Sequence, residues 1–277
     1  MLNRFFVAVA LMLCGISSHA QSQLPFAELL WEGQAVPFYG KAQTQRQRQI
    51  LEIARRSNLA ERMAFVVNST LRLHHNLGVG FESCGYPNAY FDRSKSAIVF
   101  CLEMVELIAE LAKEDEEMGL KLDRERFAKL VDGAVWGIFF HELGHAVIGV
   151  NNAPVTGREE DVADQFALFY SIHFANSAHD VVIFPTIWLF SMMERRSDIA
   201  SATQDQLKIM MADEHSLDMQ RVFNLACWAY GADPARGAAA ADFVKLPKER
   251  GVRCPSEWNG VSSGVRSRFK KYFKPQR

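Results

Sequence analysis

The sequence has almost no excess of charge of either sign. Its 277 residues include 31 lysines and arginines and 32 aspartates and glutamates, which gives a formal net charge of −1. Proteins that bind nucleic acid usually carry a basic excess or a basic face. Here only the segment from Arg266 to Arg277 is distinctly basic, and its pattern is typical of a solvated terminal segment. We therefore expect no nucleic-acid partner.

Long apolar runs are absent after the first residues of the chain. A transmembrane helix needs roughly 20 consecutive apolar residues, and no later stretch approaches that length, so we expect no transmembrane segment. At the start, Arg4 is followed by a short apolar run, Phe5 to Ile16, and by small residues up to Ala20. This order is typical of a signal peptide. It predicts cleavage near Ala20 and export of the mature chain to the periplasm or the exterior.

Cysteine is scarce, and no pair has the C-x-x-C spacing that would favour a four-thiolate zinc site. Cys14 lies within the predicted signal peptide, where the residue before it, Leu13, argues against a lipidated cysteine. Four cysteines remain in a compartment that oxidises thiols. Of the three connectivities, we expect the one that is local in sequence, which pairs Cys84 with Cys101 and Cys227 with Cys254.

Apolar periodicity predicts an α+β fold that is mostly α-helical. Residues 1–20 are the signal peptide, 21–43 an irregular leader, and 44–277 one domain. Within this domain, 44–120 carry an N-terminal helix and a small sheet, 121–177 two central helices, and 178–277 a helical C-terminal part. The sheet consists of a strand at 79–84 and a hairpin at 88–101. Helices are predicted at 44–73, 103–117, 123–150, after Thr156, and at 181–196, 203–211 and 213–230, with a looser closing region after Gly231.

The clearest chemical pattern is H-E-L-G-H, in which His141, Glu142 and His145 interrupt an apolar helix. Residues four apart lie on one helix face, about 6 Å apart along the axis. Two imidazoles can therefore bind one metal ion, while Glu142 takes a proton from the metal-bound water. The pentapeptide also occurs by chance, but burying three polar groups without partners is costly. Gly144 is expected to allow close approach of another element.

A third metal ligand is predicted in the sequence T-G-R-E-E-D-V-A-D. Thr156 and Glu159 have the spacing of a capping box, which predicts a structural role for Glu159. Glu160 is then the expected third ligand. Asp164, one turn further along, is expected to accept the outer N–H of one ligand histidine. The alternative for these carboxylates is an acidic helix start that is favoured by the helix dipole.

Hydrolysis of an amide also needs a donor for the developing oxyanion. The candidates are His215, Arg221, Tyr170 and Tyr230. We favour His215, with Asp218 three residues later orienting its ring; the alternative is a solvated histidine at an acidic helix start. Arg221 is interpreted as an ion-pair partner of nearby carboxylates.

H-E-L-G-H followed by E-D-V-A-D resembles the H-E-x-x-H plus E-x-x-x-D arrangement of the gluzincin branch of zinc metallopeptidases. The longer string H-E-L-G-H-A…P-V-T-G-R-E-E-D-V-A-D-Q-F-A resembles an exported bacterial family assigned to the metallopeptidases. The resemblance implies a zincin-like fold: a small sheet, an active-site helix and a glutamate helix. It also implies that the hairpin at 88–101 offers an edge strand to an extended peptide. The implied cofactor is Zn²⁺, and the implied partner is a peptide or protein substrate.

The sequence thus predicts an exported zinc metallopeptidase with His141, His145 and Glu160 on the metal and Glu142 as the general base. Two alternatives stay open. One is a structural protein with the same fold that contains zinc, or binds peptides, without turnover. The other is a zinc hydrolase of a non-peptide amide, such as a cell-wall fragment. An intact Glu142 favours catalysis only weakly, and the sequence does not predict the oligomeric state.

Overall fold

The computed structural model describes residues 31–117, 122–174, 179–197, 202–213 and 215–275. In these residues helices predominate around one four-stranded sheet. The prediction of an α+β, mostly α-helical fold is therefore confirmed. The predicted signal peptide and residues 21–30 of the predicted leader lie outside the described residues.

The sheet has the strand order β1-β2-β4-β3. Its first three strands in this order run parallel, and β3 pairs antiparallel with β4 at one edge. The strands β3 and β4 form the predicted hairpin, with its turn at residues 93–96. The strands are β1 (Ala35–Tyr39), β2 (Leu77–Glu82), β3 (Ala89–Asp92) and β4 (Ala97–Cys101).

The prediction of an irregular leader is wrong for β1. Its sequence is short and contains Pro37, which hides the strand pattern; proline is tolerated because β1 lies at the edge of the sheet. The side chain of Asn68 accepts from the Ala35 backbone N–H at 2.8 Å and donates to its carbonyl oxygen at 2.9 Å. This long-range amide contact fixes the strand and cannot be read from local sequence.

The predicted helix at 44–73 is two helices. Asn58 adopts a left-handed conformation with φ of 49° between them, a conformation that asparagine tolerates better than most residues. A π-helical turn at His179–Ile183 leads into α6, and a 3₁₀ turn at Lys270–Tyr272 follows α11. The helices are α1 (Gln45–Arg56), α2 (Leu59–Thr70), α3 (Leu102–Glu117), α4 (Arg124–Val150), α5 (Glu159–Phe174), α6 (Phe184–Ser197), α7 (Gln204–Ala212), α8 (Asp218–Ala232), α9 (Pro234–Phe243), α10 (Lys248–Gly251) and α11 (Cys254–Phe269).

The helix α4 runs through the core and carries the H-E-L-G-H segment. Asp123 caps its start by accepting from the Arg126 backbone N–H at 2.8 Å. Among the described residues it is the one helix long and apolar enough to cross a membrane, but 94% of its apolar window is buried inside the protein. A buried core helix explains this composition, because most residues of α4 from Leu130 onwards are buried.

The closing region is helical rather than loose, which corrects the prediction. After Gly231 the chain forms α9, α10 and α11, and the disulfide Cys227–Cys254 joins α8 to α11 as predicted. The second predicted disulfide, Cys84–Cys101, joins the loop after β2 to the end of β4. The prediction underestimated this region because its glycines and Pro234 suggested breaks, whereas Pro234 occupies a favourable first-turn position of α9.

The described part of the basic terminal segment, residues 266–275, is packed against the domain and is not simply solvated. Phe269 and Tyr272 are each only 1% exposed. The Arg72 backbone N–H donates to the Tyr272 carbonyl at 2.7 Å, and the Lys274 backbone N–H donates to the Thr70 carbonyl at 2.7 Å. The prediction weighed the charges of this segment and overlooked the aromatic residues between them.

We predict that Phe269→Ala lowers the free energy of unfolding by about 3–5 kcal/mol, because it opens a cavity in the core. Phe65→Ala on α2 is the matched control, since Phe65 is 71% exposed and its loss should change stability little. Urea unfolding of both variants measures the difference. Equal stabilities for the two variants would show that the C-terminal segment does not belong to the folded core.

Candidate metal centre and active site

The site forms where α4 and α5 approach each other closely. A Cβ atom placed on Gly144 would lie 2.9 Å from the Cα atom of Ala163, which is closer than real Cβ contacts allow. The expectation that Gly144 permits a close approach is therefore confirmed. Because Gly144 lies between the two histidines, this contact brings the start of α5 beside both imidazoles.

Three ligand-type atoms meet at this crossing. The Nε2 atoms of His141 and His145 are 3.2 Å apart, and they lie 3.0 and 3.3 Å from Oε2 of Glu160. Atoms bound to one tetrahedral zinc at roughly 2.0–2.1 Å lie about 3.3 Å from one another. The triangle of donor atoms therefore has the size of one face of a zinc coordination shell. Two imidazoles and a carboxylate also form a typical catalytic zinc ligand set.

The outer nitrogen of His141 is paired with a buried carboxylate. Nδ1 of His141 lies 2.8 Å from Oδ1 of Asp164. Arg221 donates to the same carboxylate from Nε and Nη2, both at 2.8 Å. Burial opposes ionisation, but the positive charge of Arg221 and the hydrogen bonds from Arg221 and His141 outweigh it and hold the pKa of Asp164 well below its usual value. Asp164 is therefore an acceptor, so Nδ1 of His141 carries the proton and Nε2 is left for a metal.

The outer nitrogen of His145 has an equivalent arrangement. Nδ1 of His145 lies 2.8 Å from Oε1 of Glu159, and Nη2 of Arg93 donates to the same oxygen at 2.5 Å. Glu159 thus orients a histidine, and the prediction that it forms a capping box with Thr156 is wrong. The helix α5 begins only at Glu159, because residues 156 and 157 form a bend. Arg93 comes from the β3–β4 turn, which is why sequence reasoning missed this contact.

Glu142 lies beside the triangle and lines the cavities next to it. It is 7% exposed. Burial raises the pKa of its carboxyl group, although the positive charges of His141 and His145 oppose this shift. The backbone N–H of Phe91 on β3 also faces the carboxylate. A carboxylate with a raised pKa is a stronger base at neutral pH.

Two open cavities, each of about 450 Å³, meet at Glu142. One lies towards α6 and α8 and has apolar walls that include Met104, Phe190 and Met193. The other lies along β3 and is more polar, with Arg93 and Arg158 in its wall. Together they form a cleft that passes the triangle of donor atoms.

His215 lies at the open side of the triangle. Its Nε2 is 3.0 Å from Oε2 of Glu160. Oδ1 of Asp213 accepts from the His215 backbone N–H at 2.8 Å and lies 3.0 Å from its Nδ1. The prediction that Asp218 orients this ring is therefore wrong. Residue 215 precedes α8, so the helical spacing does not apply, and the carboxylate of Asp213 contacts the ring instead.

The other three candidates for an oxyanion donor lie outside the cleft or already contact other residues. Tyr170 is fully buried, and its hydroxyl contacts Thr70. Tyr230 lies near the C-terminal end of α8, where its backbone packs against Gly237 of α9. Arg221 forms the ion pair with Asp164, in line with its expected structural role. Of the four candidates, His215 alone contacts the triangle of donor atoms.

At the edge of the sheet above the cleft, some backbone groups of β3 point away from β4. The Cys101 N–H donates to the Asn88 carbonyl at 3.0 Å, so residues 88, 90 and 92 point their backbone groups at β4. By alternation, Ala89 and Phe91 point theirs away from β4, towards the cleft. The hairpin at 88–101 therefore presents the edge strand that the family resemblance implied.

Residues 39–265 match a sequence-family model, DUF4344, described as "Putative metallopeptidase". The match includes both helices of the site, the sheet edge and most of the C-terminal helices. Comparison with curated proteins and with solved structures gave no match.

We predict that Glu160→Ala abolishes stoichiometric zinc binding, because it removes one donor atom of the triangle. Glu159→Ala should keep one zinc per chain but weaken affinity about 10–100-fold, as expected when the partner of a ligand histidine is lost. Titration against a competing chelator, with metal analysis, measures both effects. Glu125→Ala, on α4 with the side chain of Glu125 76% exposed, is the control. The reverse ranking of Glu159 and Glu160 would show that the ligand is Glu159.

Proposed function

The chain belongs to the DUF4344 family of metallopeptidases, and on that premise we propose that it is an exported zinc-dependent peptidase. In this proposal His141, His145 and Glu160 bind the zinc, and Glu142 is the general base. The observation that carries the proposal is the triangle of donor atoms beside a buried glutamate in an open cleft. The same observation supports a gluzincin-like assignment, in which a helix with two histidines is followed by a helix with the glutamate.

A zinc ion at the triangle would act as a Lewis acid and lower the pKa of the attacking water. Glu142 is placed to accept the proton of that water. The low exposure of Glu142 and the raised pKa of its carboxyl group both make it a better proton acceptor. After attack, the same carboxyl group can deliver the proton to the leaving nitrogen, so one residue serves as base and then as acid.

The edge strand β3 would align the substrate. A peptide in extended conformation can pair with the outward N–H and carbonyl groups of Ala89, as a further strand of the sheet. Strand pairing uses only backbone atoms of the substrate, whereas the apolar cavity beside Met104 and Phe190 can take a side chain. This geometry favours a peptide over a compact non-peptide amide.

His215 would stabilise the oxyanion. Its Nε2 already lies at the open side of the triangle, and Asp213 at Nδ1 orients the ring. A hydrogen bond donated from this position becomes stronger as negative charge develops on the substrate oxygen. It therefore lowers the activation barrier more than it strengthens substrate binding.

The position of His215 also supports a second candidate function. With His141, Glu160 and His215 all within ligand distance of one another, His215 could be a fourth protein ligand. Four protein ligands leave no position for water and are typical of structural zinc sites. The protein would then be a structural zinc protein of the same fold.

Export is part of the proposal and is supported by two observations. The first twenty residues have the order of a signal peptide. Both cysteine pairs of the described residues form disulfides, which persist in oxidising compartments.

We predict that Glu142→Gln retains one zinc per chain and lowers the rate of peptide cleavage at least about 100-fold, because the general base is lost. Cleavage of a mixed peptide library, followed by mass spectrometry, measures activity alongside metal content. Glu125→Gln is the matched control, since Glu125 lies on the same helix with its side chain 76% exposed. Absence of zinc from the wild type, or full activity of Glu142→Gln, would refute the peptidase proposal.

We predict that His215→Ala separates the two candidate functions. If His215 is an oxyanion donor, His215→Ala should leave zinc affinity nearly unchanged and lower kcat about 10²–10³-fold. As a fourth ligand, its loss should weaken zinc binding strongly and open a position for water. Zinc affinity and kcat measured on the same preparation decide between them, and the second result would favour a structural zinc site.

A further inference from the structure

A large groove lies at the far end of α5 from the candidate metal centre. Its volume is about 1300 Å³. Because a helix rises about 1.5 Å per residue, Phe174 at the groove lies about 21 Å along α5 from Glu160. The groove is formed by the end of α5 and by the last turns of the chain. Its cationic lining residues are Arg72, Arg266, Arg268, Lys270, Lys271 and Lys274, and these define the basic groove.

No aspartate or glutamate lines the basic groove in the described part of the chain. Three of its cations have internal contacts: Arg266 lies over the ring of Phe169, Nζ of Lys271 lies over the ring of Tyr272, and Nζ of Lys274 donates to the Asn68 carbonyl at 2.5 Å. The side chains of Arg268 and Lys270 are exposed to solvent. None of the six cations forms an ion pair with a described carboxylate, although ion pairs are frequent on the rest of the surface.

Helix dipoles account for only a small part of this charge. The C-terminal ends of α5 and α11 both point into the region, and each carries about −0.5 elementary charge. Together they offset about one of the six positive charges. The other charges are concentrated on one face of a chain whose net charge is −1. Such a concentration attracts anions from solution.

The shape and floor of the groove indicate the kind of anion. Its volume exceeds the roughly 300–1,000 Å³ of ordinary small-molecule sites, so it can hold several anionic units at once. Phe174 and Phe273 stack with their ring centroids 4.9 Å apart and form an apolar floor between the cations. A flexible chain can follow this concave surface, whereas a flat membrane would reach only its rim.

We propose that the basic groove binds a linear polyanion of the polyphosphate type, in which phosphate groups follow one another along one chain. Arginine and lysine side chains both pair strongly with phosphate oxygens, and arginine can do so with two parallel hydrogen bonds. Regularly spaced phosphates on one chain would contact several of the six cations together. The site is separate from the cleft at Glu142, so the proposal does not depend on zinc or on peptide cleavage.

The test compares two triple variants with the same change of charge. R268Q/K270Q/K271Q removes one arginine and two lysines from the basic groove. K245Q/K248Q/R253Q removes one arginine and two lysines from exposed positions that do not line the groove. All six side chains are exposed, so both variants should fold, which thermal melting followed by circular dichroism will check.

The probe is fluorescein-labelled inorganic polyphosphate, and its binding to the full mature chain is followed by fluorescence anisotropy across a salt series. We expect the groove variant to bind at least 10-fold more weakly than wild type and the control variant to bind like wild type. Each lost phosphate contact should lower the magnitude of the slope of log K against log salt by about 0.7–0.9, so loss of three contacts should lower it by about 2.1–2.7.

Three outcomes would overturn the proposal. The first is absence of polyphosphate binding by the wild type, or equal loss in both triple variants. The second is equally tight binding of poly-L-glutamate, which would show that phosphate is not recognised. The third is binding to vesicles of equal parts phosphatidylglycerol and phosphatidylcholine that requires the groove cations while polyphosphate does not bind. That result would assign the groove to a membrane surface instead.

Discussion

Asp164 lies buried between Arg221 and His141, and the arrangement of the whole site depends on this ion pair. A buried carboxylate without a partner costs several kcal/mol, whereas a bidentate arginine compensates its charge. Arg221 can reach Asp164 only when α8 docks beside α4 and α5. The disulfide Cys227–Cys254 ties α8 to α11, and α11 packs against α5. The C-terminal helices therefore determine the orientation of an imidazole on α4.

Each histidine of α4 is oriented by a carboxylate that an arginine holds in place, and the two carboxylate–arginine pairs lie on opposite sides of the site. His141 pairs with Asp164 and Arg221, and His145 pairs with Glu159 and Arg93. One arginine comes from the C-terminal half and the other from the β3–β4 turn. Each carboxylate is held by an arginine and accepts from a histidine, which leaves both Nε2 atoms directed at Glu160. The sheet and the helical lobe thus contribute equally to the geometry of the donor atoms.

The sequence was sufficient where spacing along one helix decides the outcome. The four-residue spacing of His141 and His145 placed both on one face, and Asp164 lies one turn after Glu160 as the spacing required. The sequence was insufficient where the residue that a side chain contacts lies far away in the chain. The contact of Glu159 with Arg93 spans 66 residues, and a local capping pattern therefore gave the wrong role.

The same holds for the fold: elements that follow from local patterns were predicted, and elements that depend on contacts with distant residues were not. Long amphipathic helices and the hairpin at 88–101 followed from periodicity. The strand β1 did not, because it depends on pairing with β2 and on the amide of Asn68. The C-terminal helices were missed because glycine and proline were interpreted as breaks, while the burial of Phe269 became visible only with the structure of the whole domain.

The central claim is that His141, His145 and Glu160 bind one zinc with a position left open for water. X-ray absorption at the zinc edge, on the protein loaded with one equivalent of zinc, tests it most directly. The account predicts a four-coordinate shell of nitrogen and oxygen at about 2.0–2.1 Å, in which two neighbours show the outer-shell scattering of imidazole. A shell with three imidazoles, or with sulfur, would contradict it.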